Sequence, residues 1–162
     1  MNESALVIIK PDGIQRGLIG PVLDRYETPF LRLIGIKMAK VTRALAAAHY
    51  EQLRNKPFFE EIINYLSGKL NGIGSVLVMV YYGDQAIKRC RAIAGATNPE
   101  EANPRSIRGA FGRITTKGVY ENVVHVSSNA KEARREIRLW FTPAEVRGFS
   151  QHIQQSKAKG RS

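Results

Sequence analysis

The chain has 162 residues and 18.1 kDa, with 25 Lys+Arg against 14 Asp+Glu and a net charge of +11 at pH 7. That length suits one compact domain, and 43% apolar with 24% charged residues is globular rather than disordered composition. A single cysteine, Cys90, excludes a disulfide framework and a multi-cysteine zinc site, and no apolar run is long enough for a membrane span.

Ala5 to Ile9 is a short apolar run and reads as a buried strand, ended by the turn residues Lys10-Pro11-Asp12-Gly13. With Glu3 before it, the start lacks the basic and long apolar regions of a signal peptide, so a cytoplasmic location is expected. Gly17 to Tyr26 has helical spacing, and Phe30 to Val41 is apolar and partly alternating, as in a strand. Thr42 is the expected N-cap of a helix through Leu53, and Pro57 opens another with Phe58, Ile62, Tyr65 and Leu66 on one face. Gly68 to Gly74 is a glycine-rich loop, Ser75 to Tyr82 a fully apolar strand, and Asp84 to Ile93 a helix. Gly95 to Lys117 is turn-rich, and loops this long in a compact domain are usually functional. Asn122 to Ser127 reads as a fourth strand, Ala130 to Trp140 as a helix capped by Asn129, and Thr142-Pro143 as the start of a last short helix. This order predicts an α+β, ferredoxin-like split β-α-β sandwich with a four-stranded antiparallel sheet covered by helices. Residues 1–156 form the domain, and 157–162 form a basic tail.

The positive charge calls for an anionic partner, nucleic acid or smaller phosphates. No G-x-x-x-x-G-K-[ST], G-x-G-x-x-G or H-E-x-x-H pattern is present. Instead, Lys10, Arg91, Thr97 and Arg108 place basic and hydroxyl groups at turns, where Arg forks and Lys clamp phosphates without a P-loop. Period-2 geometry puts Val123, His125 and Ser127 on one strand face. His125 is either a hydrogen-bonded core histidine or a reactive one. Glu136 falls beside the apolar stripe of Ala133, Ile137 and Trp140. A carboxylate there needs a partner, either the His125 imidazole or Arg135 or Arg138 at the rim. His49 and His152 read as structural or solvated. A histidine nucleophile, an orienting carboxylate and several arginines suit phosphoryl transfer through a phosphohistidine.

The motifs Ile9-Lys10-Pro11-Asp12-Gly13-Ile14-Gln15-Arg16-Gly17, His49-Tyr50, Lys56-Pro57-Phe58-Phe59, Gly95-Ala96-Thr97-Asn98-Pro99, Ser106-Ile107-Arg108-Gly109, Asn122-Val123-Val124-His125 and Glu136-Ile137-Arg138-Leu139-Trp140-Phe141 occur in this order. Together they make the chain resemble a nucleoside diphosphate kinase over nearly its whole length. The resemblance implies ping-pong transfer of the γ-phosphoryl group from nucleoside triphosphates to diphosphates, with Mg²⁺ bridging the phosphates. It implies that His125 is the nucleophile, that Glu136 and Ser127 orient it, and that Tyr50 lies near the transferred group. It further implies that Arg91, Thr97 and Arg108 hold phosphates, Lys10 and Asn122 contact the sugar, and Phe58 stacks on the base. A homo-oligomer, a tetramer or hexamer built from dimers, is also implied.

The chain departs from the family pattern at Ala96, Ala110 and Ser128, where carboxylates are usual, and at Val126, where glycine is. Insertions lie at Lys69 to Gly74 and at Thr115 to Tyr120, the second altering the segment opposite the base, with Val119 or Ile114 to fill it. The competing readings are a nucleic-acid-binding protein on the same sandwich and a nucleotide-binding relative without catalysis. Against the first, Gly109-Ala110-Phe111-Gly112 is the nearest approach to an RNA-recognition motif and is expected in a loop, so no specific nucleic-acid partner is expected.

Overall fold

The computed structural model describes residues 2–146, so the basic tail and His152 lie outside the described residues. Strand β1 (Asn2–Ile9) is followed by two short helices, α1 (Pro11–Gln15) and α2 (Ile19–Tyr26). Strand β2 (Arg32–Lys40), helix α3 (Arg43–His49), helix α4 (Phe59–Leu66) and strand β3 (Ser75–Asp84) come next. Helix α5 (Ala86–Ala94), helix α6 (Ile107–Phe111) and a two-stranded hairpin of β4 (Arg113–Ile114) and β5 (Tyr120–Glu121) precede β6 (Val124–Val126) and α7 (Ala130–Trp140).

The main sheet has the order β2-β3-β1-β6, with every neighbouring pair antiparallel. This is the expected four-stranded split β-α-β sandwich. Its central strands are apolar on both faces because both faces are covered. Ala5, Val7 and Ile9 pack with Met79, Tyr81, Tyr26 and Cys90, while Leu6 and Ile8 pack with Val78, Val80, Ile63, Ile137 and Trp140. Burial on this scale supplies the main stabilisation, at roughly 25 cal/mol per Å² of apolar surface removed from water.

Several element bounds differ from expectation for local reasons. The Lys10–Gly13 turn opens directly into α1, because Pro11 sits at its first position, where the missing N–H is harmless. Asp84 ends β3 rather than starting a helix, since the chain turns at Gln85 in the left-handed region (φ 51°). Helix α3 stops at His49, and Glu51–Leu53 is a 3-10 turn. Within the expected long loop, Ser106 caps α6 by accepting from Gly109 N, so Gly109-Ala110-Phe111 is helical rather than looped. Thr42 and Asn129 cap α3 and α7 as the sequence predicts, accepting from Leu45 N and Glu132 N. The Glu132 side chain pairs with Arg135 rather than closing a capping box.

Candidate active site

Strand β6 lies at the sheet edge beside β1, and His125 stands opposite Ile8, on the face covered by α3 and α7. The segment entering it is held against its preference. Val123 has φ 67°, a costly conformation for a β-branched residue. Its N–H donates to Asp12 Oδ2 at 3.0 Å, and its carbonyl accepts from Lys10 N at 2.8 Å. The Lys10–Gly13 turn therefore sets where the chain enters β6.

Glu136 is buried on the inner face of α7, with 1% exposure, and both its oxygens are used. Oε1 lies 3.0 Å from His125 Nε2, and Oε2 accepts from Ser127 Oγ at 2.5 Å. Ser127 is itself fixed, since its Oγ accepts from Leu6 N at 3.2 Å. The alternative partners are otherwise engaged: Arg135 bonds Glu132, Gln52 and the carbonyls of Ala48 and His49. The tautomer that fits this contact has its proton on Nε2, donating to the carboxylate, and presents its lone pair at Nδ1.

His49, read from the sequence as structural or solvated, is fully buried with its ring 4.4 Å from that of His125. Trp140 Nε1 donates to His49 Nδ1 at 3.2 Å, which places the His49 proton on Nε2. Burial, then the neighbouring His125 and Arg135, hold its pKa well below the usual histidine range, so it stays neutral. The His49, His125 and Glu136 donors lie within 4.8 Å of one another. This set does not suit Mg²⁺, which prefers octahedral oxygen ligands, and His125 Nε2 already faces Glu136. Tyr50 stands edge-on at 6.1 Å from the His125 ring, and burial followed by Glu136 keeps its hydroxyl protonated.

A cavity of about 470 Å³ opens beside this centre, lined by Lys10, Phe58, Ile62, Tyr65, Thr97 and Asn122, with Glu61 and the hairpin residues Gly118, Val119 and Tyr120. Its polar floor is preorganised. Asn122 Nδ2 donates to the Thr97 carbonyl at 2.8 Å, whereas its buried Oδ1 has no protein partner. Lys10 Nζ sits 4.6 Å over the Tyr65 ring, and burial lowers its pKa to about 8, with Asp12 opposing that shift. Arg108 donates to the carbonyls of Gly95 and Val124, both at 2.8 Å, while its buried Nε has no protein partner. Burial, and next to it the Arg91 charge, lower the Arg108 pKa.

The structure thus groups His125, Glu136, Ser127 and Tyr50 at one centre, and Lys10, Phe58, Thr97 and Asn122 around one cavity. Arg91 lines a separate shallow depression with Glu3, Ser128 and Asn129, yet lies near enough to Arg108 for its charge to act there. Of the two candidates for the wall opposite the base, Val119 lines the cavity and Ile114 does not. Of the two readings for His49 the structure bears out the structural one; its contact with His125 had no signal beyond the His49-Tyr50 motif, because a helical position gives no sign of depth.

A model of the family described as nucleoside diphosphate kinase matches residues 3–146. The nucleoside diphosphate kinase of Pyrococcus furiosus is 44% identical over 144 residues, covering 89% of this chain and 86% of that protein. That of Archaeoglobus fulgidus is 43% identical, covering 89% of each. The Aquifex aeolicus nucleoside diphosphate kinase structure superposes with a TM-score of 0.81 at 36% identity, covering 90% of this chain and 99% of that one. The Halobacterium salinarum enzyme in complex with CDP gives 0.80 at 35% identity, covering 90% and 91%. The Borrelia burgdorferi enzyme, a transition-state mimic with bound vanadate and ADP, gives 0.80 at 34%, covering 90% of each.

Proposed function

The chain belongs to the nucleoside diphosphate kinase family, and on that premise we propose that His125 carries the phosphoryl group between nucleotides through its Nδ1 atom. The enzyme transfers the γ-phosphoryl group of a nucleoside triphosphate to a nucleoside diphosphate in two half-reactions. In the first, the Nδ1 lone pair attacks the γ-phosphorus in line. The bond to the β–γ bridging oxygen breaks, and the diphosphate leaves with that oxygen and its electron pair. Positive charge developing on the imidazole is met by Glu136 at Nε2, and the proton stays there. In the second, the terminal oxygen of another diphosphate attacks the phosphorus and the P–Nδ1 bond breaks. The observation that carries this reading is the 3.0 Å contact of His125 Nε2 with a buried Glu136 that Ser127 also holds. Neutral His49 beside it adds no competing charge.

Catalysis of this kind is mainly positioning and charge neutralisation. Arg108, Arg91 and Thr97 hold the phosphates, and the 3′-hydroxyl donates to the orphaned Asn122 Oδ1 while Lys10 faces the sugar and phosphate oxygens. Tyr50 stands at the transferred group and Phe58 stacks on the base. The divalent cation, Mg²⁺, enters as part of the nucleotide substrate through its phosphate oxygens rather than as a resident of the imidazole cluster. The protein is cytoplasmic, its domain spans 1–156 with 157–162 as a tail, and it assembles as a homo-oligomer. Edge strand β2 supports the last point, since Ile36 and Met38 stand exposed on it.

Incubation with γ-labelled ATP and Mg²⁺ tests the mechanism. An acid-labile, alkali-stable phosphoenzyme is expected, discharged to labelled GTP by GDP. Its persistence in His125→Ala, or its absence from the wild type, overturns the assignment.

A further inference from the structure

The backbone entering β6 is strained, and what holds it is a buried carboxylate with no place yet in the chemistry. Val123 has φ 67°, and Val124 N donates to the Asn122 carbonyl at 2.7 Å. Residues 122–124 therefore form a γ-turn of the rare kind with positive φ at its centre. A β-branched residue takes that conformation only where its surroundings impose it. Three contacts do so. Val123 N donates to Asp12 Oδ2 at 3.0 Å, and Lys10 N donates to the Val123 carbonyl at 2.8 Å. Gly13 packs so closely that a Cβ on it would stand 3.0 Å from Val123 Cγ1. Of these, only the Asp12 bond is made by a polar side chain, and at 1% exposure that carboxylate is shielded from bulk water.

The turn matters because of what flanks it. On one side Asn122 lines the cavity and donates to the Thr97 carbonyl at 2.8 Å. On the other, the Val124 carbonyl is one of the two acceptors that aim Arg108, at 2.8 Å, and His125 follows directly. A change of φ at Val123 swings Asn122 relative to Val124 and His125. One dihedral thus sets the spacing of an amide, a guanidinium and an imidazole that all face the same substrate. Asp12 also acts on Lys10, whose pKa burial lowers and the Asp12 charge raises. That second duty needs a charge, whereas holding Val123 needs only an acceptor.

Resting on the nucleotide-exchange reading above, we propose that Asp12 is a positioning residue: its carboxylate holds the γ-turn at Val123 and thereby keeps Asn122, Arg108 and His125 in one nucleotide-binding arrangement. The test is a double-mutant cycle on ADP affinity, read by calorimetric titration of the full chain. Asp12→Ala is expected to weaken ADP binding about tenfold, because the released strain depopulates the competent turn. Glycine takes positive φ freely, so in the Val123→Gly background the same change is expected to cost less than about threefold. Asp12→Asn keeps an acceptor without the charge and is expected to retain most of the affinity. The proposal is overturned by an Asp12→Ala loss of equal size in both backgrounds, by unchanged affinity in Asp12→Ala, or by an equal loss in Asp12→Asn. If Asp12→Ala alone does not fold, recovery of a folded, ADP-binding chain on adding Val123→Gly supports the proposal, and failure to recover overturns it. Because affinity is read without turnover, a phosphoenzyme that failed to form would refute the exchange mechanism and leave this cycle to decide the role of Asp12.

Discussion

Lys10 shows how one residue's burial reaches function. Its ammonium is desolvated beside the Tyr65 ring, and its pKa drops from the ordinary 10.5 to about 8. The folded protein therefore binds this proton less well than the unfolded chain. The cost of the buried charge is fully present below pH 8 and is relieved as pH rises towards 10.5, so this group raises apoprotein stability across that window. With Lys10 facing the nucleotide as proposed, binding has the opposite dependence, because anionic phosphates require the charged form. Affinity for a nucleoside diphosphate is expected to fall about tenfold between pH 7 and 9, with Lys10→Gln weaker but flat over the same range. Calorimetric titration across that pH series checks both statements. Glu136 makes a related point. Its proximity to an apolar stripe was visible in the sequence, but the choice between His125 and the neighbouring arginines was not. Helical spacing gives the face of a residue; which strand lies under that face depends on packing.

Among the elements, the junction of α5 with the following loop holds Arg108, one of the residues proposed to hold the phosphates. Gly95 ends α5 with φ 87°, and a Cβ there would meet Ser106 Oγ at 2.2 Å. Its carbonyl is also one of the two acceptors that aim Arg108. Gly95→Ala is expected to destabilise the fold by about 2–3 kcal/mol, lowering the melting temperature by roughly 4–12 °C. It should also weaken nucleotide binding, because the Cβ clash with Ser106 displaces the carbonyl that aims Arg108. Thermal denaturation with and without nucleotide separates the two effects: added nucleotide should raise the variant's melting point less than the wild type's. Long periodic elements were legible here, and α7 begins and ends where its cap and stripe place it. The stretch after α5 was not. A five-residue helix and two two-residue strands are too short for periodicity to register.

For the whole molecule, the charge of +11 is expected to act on the approach of an anionic nucleotide rather than on the bound complex. Steering of an anionic nucleotide is screened as the Debye length shrinks from ~30 Å at 0.01 M salt to ~3 Å at 1 M. The ratio kcat/KM is therefore expected to fall several-fold over that range while kcat holds nearly constant, a split that steady-state kinetics in KCl resolves. Loss of kcat itself would place the salt effect in the active site. The sequence by itself determined the order of the four main strands and the longer helices and the sandwich they form, and its ordered motifs singled out His125 and Glu136 as candidates, because local periodicity and ordered motifs are properties of neighbouring residues. Only the tertiary structure decided that His49 lies against His125, that Asn122 Oδ1 is left without a protein partner, and that Val119 rather than Ile114 faces the cavity. Those facts depend on how α3 packs against α7 and where the hairpin lies, and such packing joins residues as far apart as 49 and 140 in the chain.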